Sequence, residues 1–114
     1  MAEQYAVFLL LTARPEWLSK SREARSAFIE KTITPIIERF ETVDCRFFDA
    51  EAFNADCSDV LMVETPDLTA YRRFIDCLRD TALFSAPYFD VEAIIPAVED
   101  DHRKHDDYLA ADNA

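Results

Sequence analysis

The chain of 114 residues contains no glycine. Phosphate-cradling loops and the dinucleotide-binding fingerprint need glycine where the backbone approaches an anion, so both are excluded. Turns that require positive φ must use Asn or Asp, or be avoided. Basic residues are scarce: 12 Lys+Arg stand against 23 Asp+Glu, a formal charge of −11. With no basic patch to replace counterions, neither nucleic acid nor an anionic membrane surface is an expected partner. No apolar stretch reaches the roughly 18 residues that span a bilayer, and no signal-like run precedes the first strand-like segment. Three cysteines without a Cys-x-x-Cys pair read as reduced, so a cytoplasmic setting is expected. Only two histidines occur, His102 and His105, both near the C-terminal end.

About half of the residues are apolar, which is too many for a disordered chain and enough for one domain with a modest core. QYAVFLLLTA, residues 4–13, is short, bounded and apolar on both alternating sets, so this strand should be covered on both faces. RPEWLSKS follows as a lead-in or short helical turn with Pro15 at its start. Between Ser21 and Phe40, apolar residues from Ala24 through Ile33 to Ile37 recur at three- and four-residue intervals, the period of a helix. Pro35 should kink or divide that helix, because it lacks an N–H and crowds the preceding turn. Residues 43–50 and 58–65 read as the second and third strands. Thr65-Pro66-Asp67 predicts a helix start with a hydroxyl cap and proline at the first helical position. Leu68, Tyr71, Phe74, Ile75 and Leu78 form its apolar stripe, and the fourth strand runs from 88 to about 95, ended by Pro96.

The order β-α-β-β-α-β predicts an α+β, ferredoxin-like sandwich over residues 1–98, with residues 99–114 as an acidic tail or loose helix. Both helices should lie on one face of a four-stranded antiparallel sheet. The second face should then be polar in a monomer, yet both residue sets of strands one and four carry large apolar groups. Packing against the sheet of a second copy resolves the conflict, so a homodimer closed as a dimeric α+β barrel is expected. The tail folding back over part of the sheet is the simpler alternative.

Alternation also assigns polar groups to faces. Phe47, Phe89, Val91 and Ala93 go to the helix side. Arg46, Glu64, Tyr88, Asp90 and Glu92 go to the second face with Phe48 and Met62. If that face lines a cavity, Arg46 would hold an anion or pair with Glu64, a carboxylate would serve as base if desolvated, and Tyr88 would donate a hydrogen bond. Arg46, Glu64, Tyr88 and Asp90 are the candidate catalytic residues. The ordinary reading of the same set is an interfacial or solvated ion-pair network.

Other chemistry is weaker. The acids of CRFFDAEAFNADCSD, residues 45–59, lack the glycine and ligand spacing of an EF-hand. A Cys45–Cys57 disulfide conflicts with a simple hairpin register, in which Cys45 faces a residue near Met62. Cys77 reads as a small buried filler. His102 and His105 are weak metal candidates, because a tail supplies no fixed third ligand or supporting shell. No cofactor is expected. No histidine falls in residues 1–98 to ligate a haem.

Taken as whole strings, YAVFLLLTARPEWLSKSREAR, CRFFDAEAFNADCSDVLMVET and LFSAPYFDVEAIIPAVEDDHR resemble the darcynin-like family, small bacterial proteins of unassigned function. The resemblance runs from Tyr5 to Arg103, and its most specific pieces are RFFDAEAF with the later CSD, and PYFDVEAIIPAVED. It implies that residues 46–53 belong to the family pattern, without implying a reaction or cofactor. The fold reading also looks like the dimeric α+β barrel superfamily, which includes cofactor-free monooxygenases, haem enzymes and proteins without known activity. The catalytic histidine of several such groups has no counterpart in the body of this chain. Two functions are therefore expected as alternatives. One is a small-ligand-binding protein or minor enzyme with its site on the second sheet face. The other is a non-catalytic dimer module that fills the same space with side chains.

Overall fold

The computed structural model describes residues 3–100. Its elements run β1 (Tyr5–Ala13), α1 (Pro15–Leu18), α2 (Arg22–Phe28), a π-helical turn (Ile29–Ile33), α3 (Thr34–Arg39), β2 (Asp44–Asp49), β3 (Asp59–Thr65), α4 (Leu68–Arg79), α5 (Ala82–Ser85) and β4 (Phe89–Val98). The strands form one antiparallel sheet in the order β2-β3-β1-β4. This is the ferredoxin-like sandwich, with the helices on one side of the sheet. The expected helix between strands one and two is present but divided. Thr34 N–H reaches back five residues to the Ile29 carbonyl, so the turn ahead of Pro35 widens and absorbs the missing donor and the ring.

Two start and stop signals fall differently from the sequence expectation. Asp67, not Thr65, caps α4, accepting from the amides of Thr69 and Ala70, and Pro66 lies outside the helix. Thr65 is the last residue of β3 and fully buried, and its hydroxyl accepts from Asp67 N–H. The helix therefore begins later, and Leu68 stays 47% exposed, outside the buried stripe. β4 continues through Pro96 to Val98. An edge strand tolerates proline because its outward N–H has no ladder partner to lose.

The core lies between the helices and the inner sheet face. Val7, Leu9 and Leu11 of β1, Leu61 and Val63 of β3, and Ile33, Phe74 and Leu78 of the helices are at most 1% exposed. Phe40 meets Phe74 edge-on at 5.7 Å. At one end of this layer Trp17, Phe28, Tyr88 and Phe89 form an aromatic cluster with centroid separations between 5.0 and 5.9 Å. Such contacts stabilise beyond area burial alone.

No residue among those described takes positive φ. The absence of glycine is met by a long β2–β3 connection. Ala50 N–H donates to Ser58 O, and the amides of Phe53 and Asn54 both donate to Ala50 O. Asp49 and Asn54 side chains accept from the amides of Glu51 and Asp56. Of the acids that crowd this segment, Asp49 closes a turn, and Asn54 closes the other. Among the described residues no group of three His, Cys, Asp or Glu side chains is placed to hold a metal ion. No described helix is long and apolar enough to cross a membrane. His102, His105 and the expected tail lie outside the described residues.

Candidate functional site

Register decides what the second face carries. In β1 the residues between the buried ones are Ala6, Phe8, Leu10 and Thr12. Their partners across β3 include Glu64, Met62 and Val60, and β2 adds Asp44, Arg46 and Phe48 in the same rows. On the other side of β1, the pairs are Ala6 with Ala97, Phe8 with Ile95 and Leu10 with Ala93. The face is thus mostly apolar, and no element of the described chain covers it. Phe48 is 45% and Ile95 49% exposed.

A shallow groove of about 310 Å³ opens on this face at the end formed by the start of β1 and the end of β4. Ala6, Phe8, Met62 and Ala97 floor it, and Gln4, Arg46, Glu64 and Glu99 stand at its rim. Arg46 Nη2 donates to Glu64 Oε1 at 2.8 Å, diagonally across the β2–β3 pair. The Arg46 guanidinium also stacks 5.7 Å from the centre of the Phe48 ring. The Arg46 side chain is 62% exposed and that of Glu64 31%, so the carboxylate is the more sheltered partner. An apolar floor with one ion pair at its edge can take a small, partly apolar molecule. It would exchange an anionic group onto Arg46 or donate a hydrogen bond to Glu64.

The structure brings together Arg46 and Glu64 but not the other candidates. Asp90 is on the second face opposite Thr12, at the far end of the sheet, and pairs there with Arg14 at 3.1 Å. Six residue steps along β1 separate that row from Ala6, roughly 20 Å of strand.

Tyr88 is a correction to the face assignment. It precedes β4 and packs into the aromatic cluster, 5.5 Å from Trp17 and 5.0 Å from Phe28, with Lys20 Nζ 4.9 Å above its ring. Its amide bonds to α5 carbonyls, and its carbonyl accepts from Arg14 N–H, so the backbone holds it on the helix side.

Glu92 and Ala93 are also displaced. A bulge at Leu10/Leu11 pairs Leu10 with Ala93 and Leu11 with Val91, leaving Glu92 as the extra residue. Strict alternation fails beyond it, and Ala93 turns to the second face. Gln4, Ala97 and Glu99 were missed. Ala97 would have been found had Pro96 been allowed inside an edge strand.

The cysteines are free. Cys45 faces Val63 on the helix side, and burial pushes its thiol up to about 12, which makes it a poor nucleophile at neutral pH. Cys57 is buried and Cys77 packs against the core as a filler.

Residues 2–111 match a family described as darcynin, a domain of unknown function. The chain belongs to the darcynin family. It is 53% identical over 76 residues to the darcynin of Chromobacterium violaceum, an alignment covering 67% of this chain and 96% of that protein. It is 36% identical over 89 residues to darcynin 1 of Acinetobacter baumannii, covering 78% of this chain and 99% of the relative. Among solved structures, a chlorite dismutase variant from Candidatus Nitrospira defluvii superposes with a TM-score of 0.72 at 12% identity, covering 89% of this chain and 42% of the other. The enzyme of the same organism bound to imidazole gives a TM-score of 0.71, also at 12% identity, with 86% and 40% covered. The darcynin chain spans about two fifths of those chains, and at this identity the likeness shows the fold alone.

Proposed function

We propose that this darcynin binds a small ligand in the groove beside Arg46 and Glu64, and that a second copy packed on the same sheet face completes the enclosure. The observation that carries this reading is an apolar-floored concavity whose only ion pair among the described residues is Arg46–Glu64, on a face that nothing in the described chain covers. Arg46 binds the anionic end of the ligand, and Glu64 orients the guanidinium and accepts a hydrogen bond. The ligand is a small carboxylate or similar anion with an apolar body, because the floor has no further charge to satisfy. The binding occurs in a reducing, cytoplasmic setting, where three free cysteines persist.

The test is a panel of small aliphatic and aromatic carboxylates, read by ligand-observed NMR and by melting temperature. The wild type should bind at least one member, and Arg46→Ala should weaken that binding at least tenfold while light scattering still reports a dimer. Loss of the dimer with Arg46→Ala would sink the binding reading, as would a wild type that binds none of the panel. A monomer at every concentration would remove the shared enclosure.

The exposure of Phe48 and Ile95 on the same face favours a second reading, a dimer module that plugs the groove with side chains. A crystal structure of the dimer without a cavity would decide for it.

A further inference from the structure

The most exposed large apolar side chain among the described residues is not on the sheet. Phe53 is 91% exposed, at the tip of the β2–β3 connection. That connection is well built. The hydrogen bonds inside it, the amide of Ser58 on Leu11 O, and buried Cys57 all tie it to the body. A phenyl group held out by so many fixed contacts is presented outward by the backbone rather than left there by fraying.

Topology places this tip relative to the groove. β1 and β2 begin, and β3 and β4 end, at the groove end of the sheet; the β2–β3 connection leaves from the opposite end. When two such sheets pack face to face about a two-fold axis perpendicular to the strands, the ends exchange. Each β2–β3 tip then overhangs the β2–β3 side of the partner's groove, where Arg46, Met62 and Glu64 stand.

Interface size favours a packing in which both tips take part. Four strands about 4.8 Å apart and about eight residues long on average make a flat face on the order of 500 Å² per copy, or about 1,000 Å² for the pair. That only reaches the lower edge of the roughly 1,000–1,200 Å² that a specific dimer needs. Two phenyl groups, each burying about 150–250 Å², lift the total past that limit.

We propose that Phe53 of each copy roofs the Arg46–Glu64 groove of the other, so that the binding site is complete only in the dimer. This rests on the ligand-binding reading above and adds the partner's contribution to it. The guanidinium of Arg46, already stacked on Phe48, lies on the side from which the incoming ring approaches.

Disulfide trapping tests the arrangement. Phe53→Cys and Gln4→Cys are combined in one chain, with each single variant as the control for the native cysteines. Oxidised samples are run on non-reducing gels, and light scattering is recorded on the same preparations. The expected result is a covalent dimer from the double variant and from neither single one. A dimer by light scattering that gives no cross-link overturns the roof while leaving the shared enclosure intact, and so does a dimer cross-linked by Phe53→Cys alone. A monomer overturns the enclosure itself. As a second measure, Phe53→Ala should raise the dimer dissociation constant at least tenfold and leave the far-UV spectrum unchanged; an unchanged dissociation constant counts against the roof.

Discussion

The two faces of one four-stranded sheet have different fates in this protein. On the helix face, Val7, Leu9, Leu61 and Val63 are at most 1% exposed, sealed by Phe74 and Leu78 from α4. On the other face, their neighbours in sequence Phe8, Leu10, Val60 and Met62 remain half-buried, and Phe48 and Ile95 are largely open. Side-chain chemistry barely differs between the sets, since both are dominated by aliphatic and aromatic residues. The difference lies in what is packed above them. Burial of apolar surface stabilises by about 25 cal/mol per Å², so the helix face contributes to folding now and the open face is available to association.

That contrast can be broken with a pair of substitutions. Phe74→Ala empties the centre of the sealed layer and should cost about 3–5 kcal/mol by urea titration, a large share of the roughly 5–15 kcal/mol that holds a domain folded. Phe48→Ala removes a ring of the same size from the open face. It should change urea stability by less than about 1 kcal/mol at dilution where the chain is monomeric. A Phe48→Ala cost that matched Phe74→Ala under those conditions would show that the open face is already sealed within one chain.

The sealed layer also has a pH signature. Burial raises the Cys45 thiol from 9.0 to about 12, so the folded state disfavours the thiolate that the unfolded chain forms freely. The contribution is fully present below pH 9 and is lost as pH rises from there towards 12. Melting temperature should fall across that window, and Cys45→Ala should flatten the fall. An unchanged alkaline slope in Cys45→Ala would place the thiol in water.

How much of this was legible in the chain follows the same division. The strand and helix order was readable because period-two and period-3.6 runs are separated by proline and by polar connections. The Arg46–Glu64 pair was readable because no irregularity interrupts β2 or β3 between those rows. Tyr88, Glu92 and Ala93 were misplaced for local reasons that alternation does not carry. Tyr88 is held by its backbone before the strand begins, and the bulge opposite Leu10/Leu11 resets the phase of β4. The late start of α4 depended on a choice between two competent caps, Thr65 and Asp67. Burial of Thr65 in β3 decided it, and burial is a tertiary property. The groove itself was invisible, since it takes shape from residues of all four strands and from the extension of β4 past Pro96.

Helix capping gives a smaller test on the sealed side. Asp67→Ala removes the acceptor for the Thr69 and Ala70 amides and should cost about 1 kcal/mol, whereas Thr65→Val should be tolerated only if its bond to the Asp67 amide is dispensable. Urea titration of both variants separates the roles, and a larger loss for Thr65→Val would mean that the β3–α4 corner matters more than the cap.

The smallest effect is expected where the function is proposed. Arg46 and Glu64 meet at 2.8 Å, but the guanidinium side is 62% exposed and water screens much of the attraction. A double-mutant cycle on Arg46→Ala and Glu64→Gln, read by urea titration of the monomer, should give a coupling of about 0.2–1 kcal/mol. In the dimer the same pair would lie at the edge of the space between two sheets, where solvent screens it less. Dimer dissociation reads the excess of the dimer's coupling over the monomer's, and that excess should be clearly above zero. A dissociation coupling near zero would mean that the pair stays in water after association, and then the groove beside it is not enclosed.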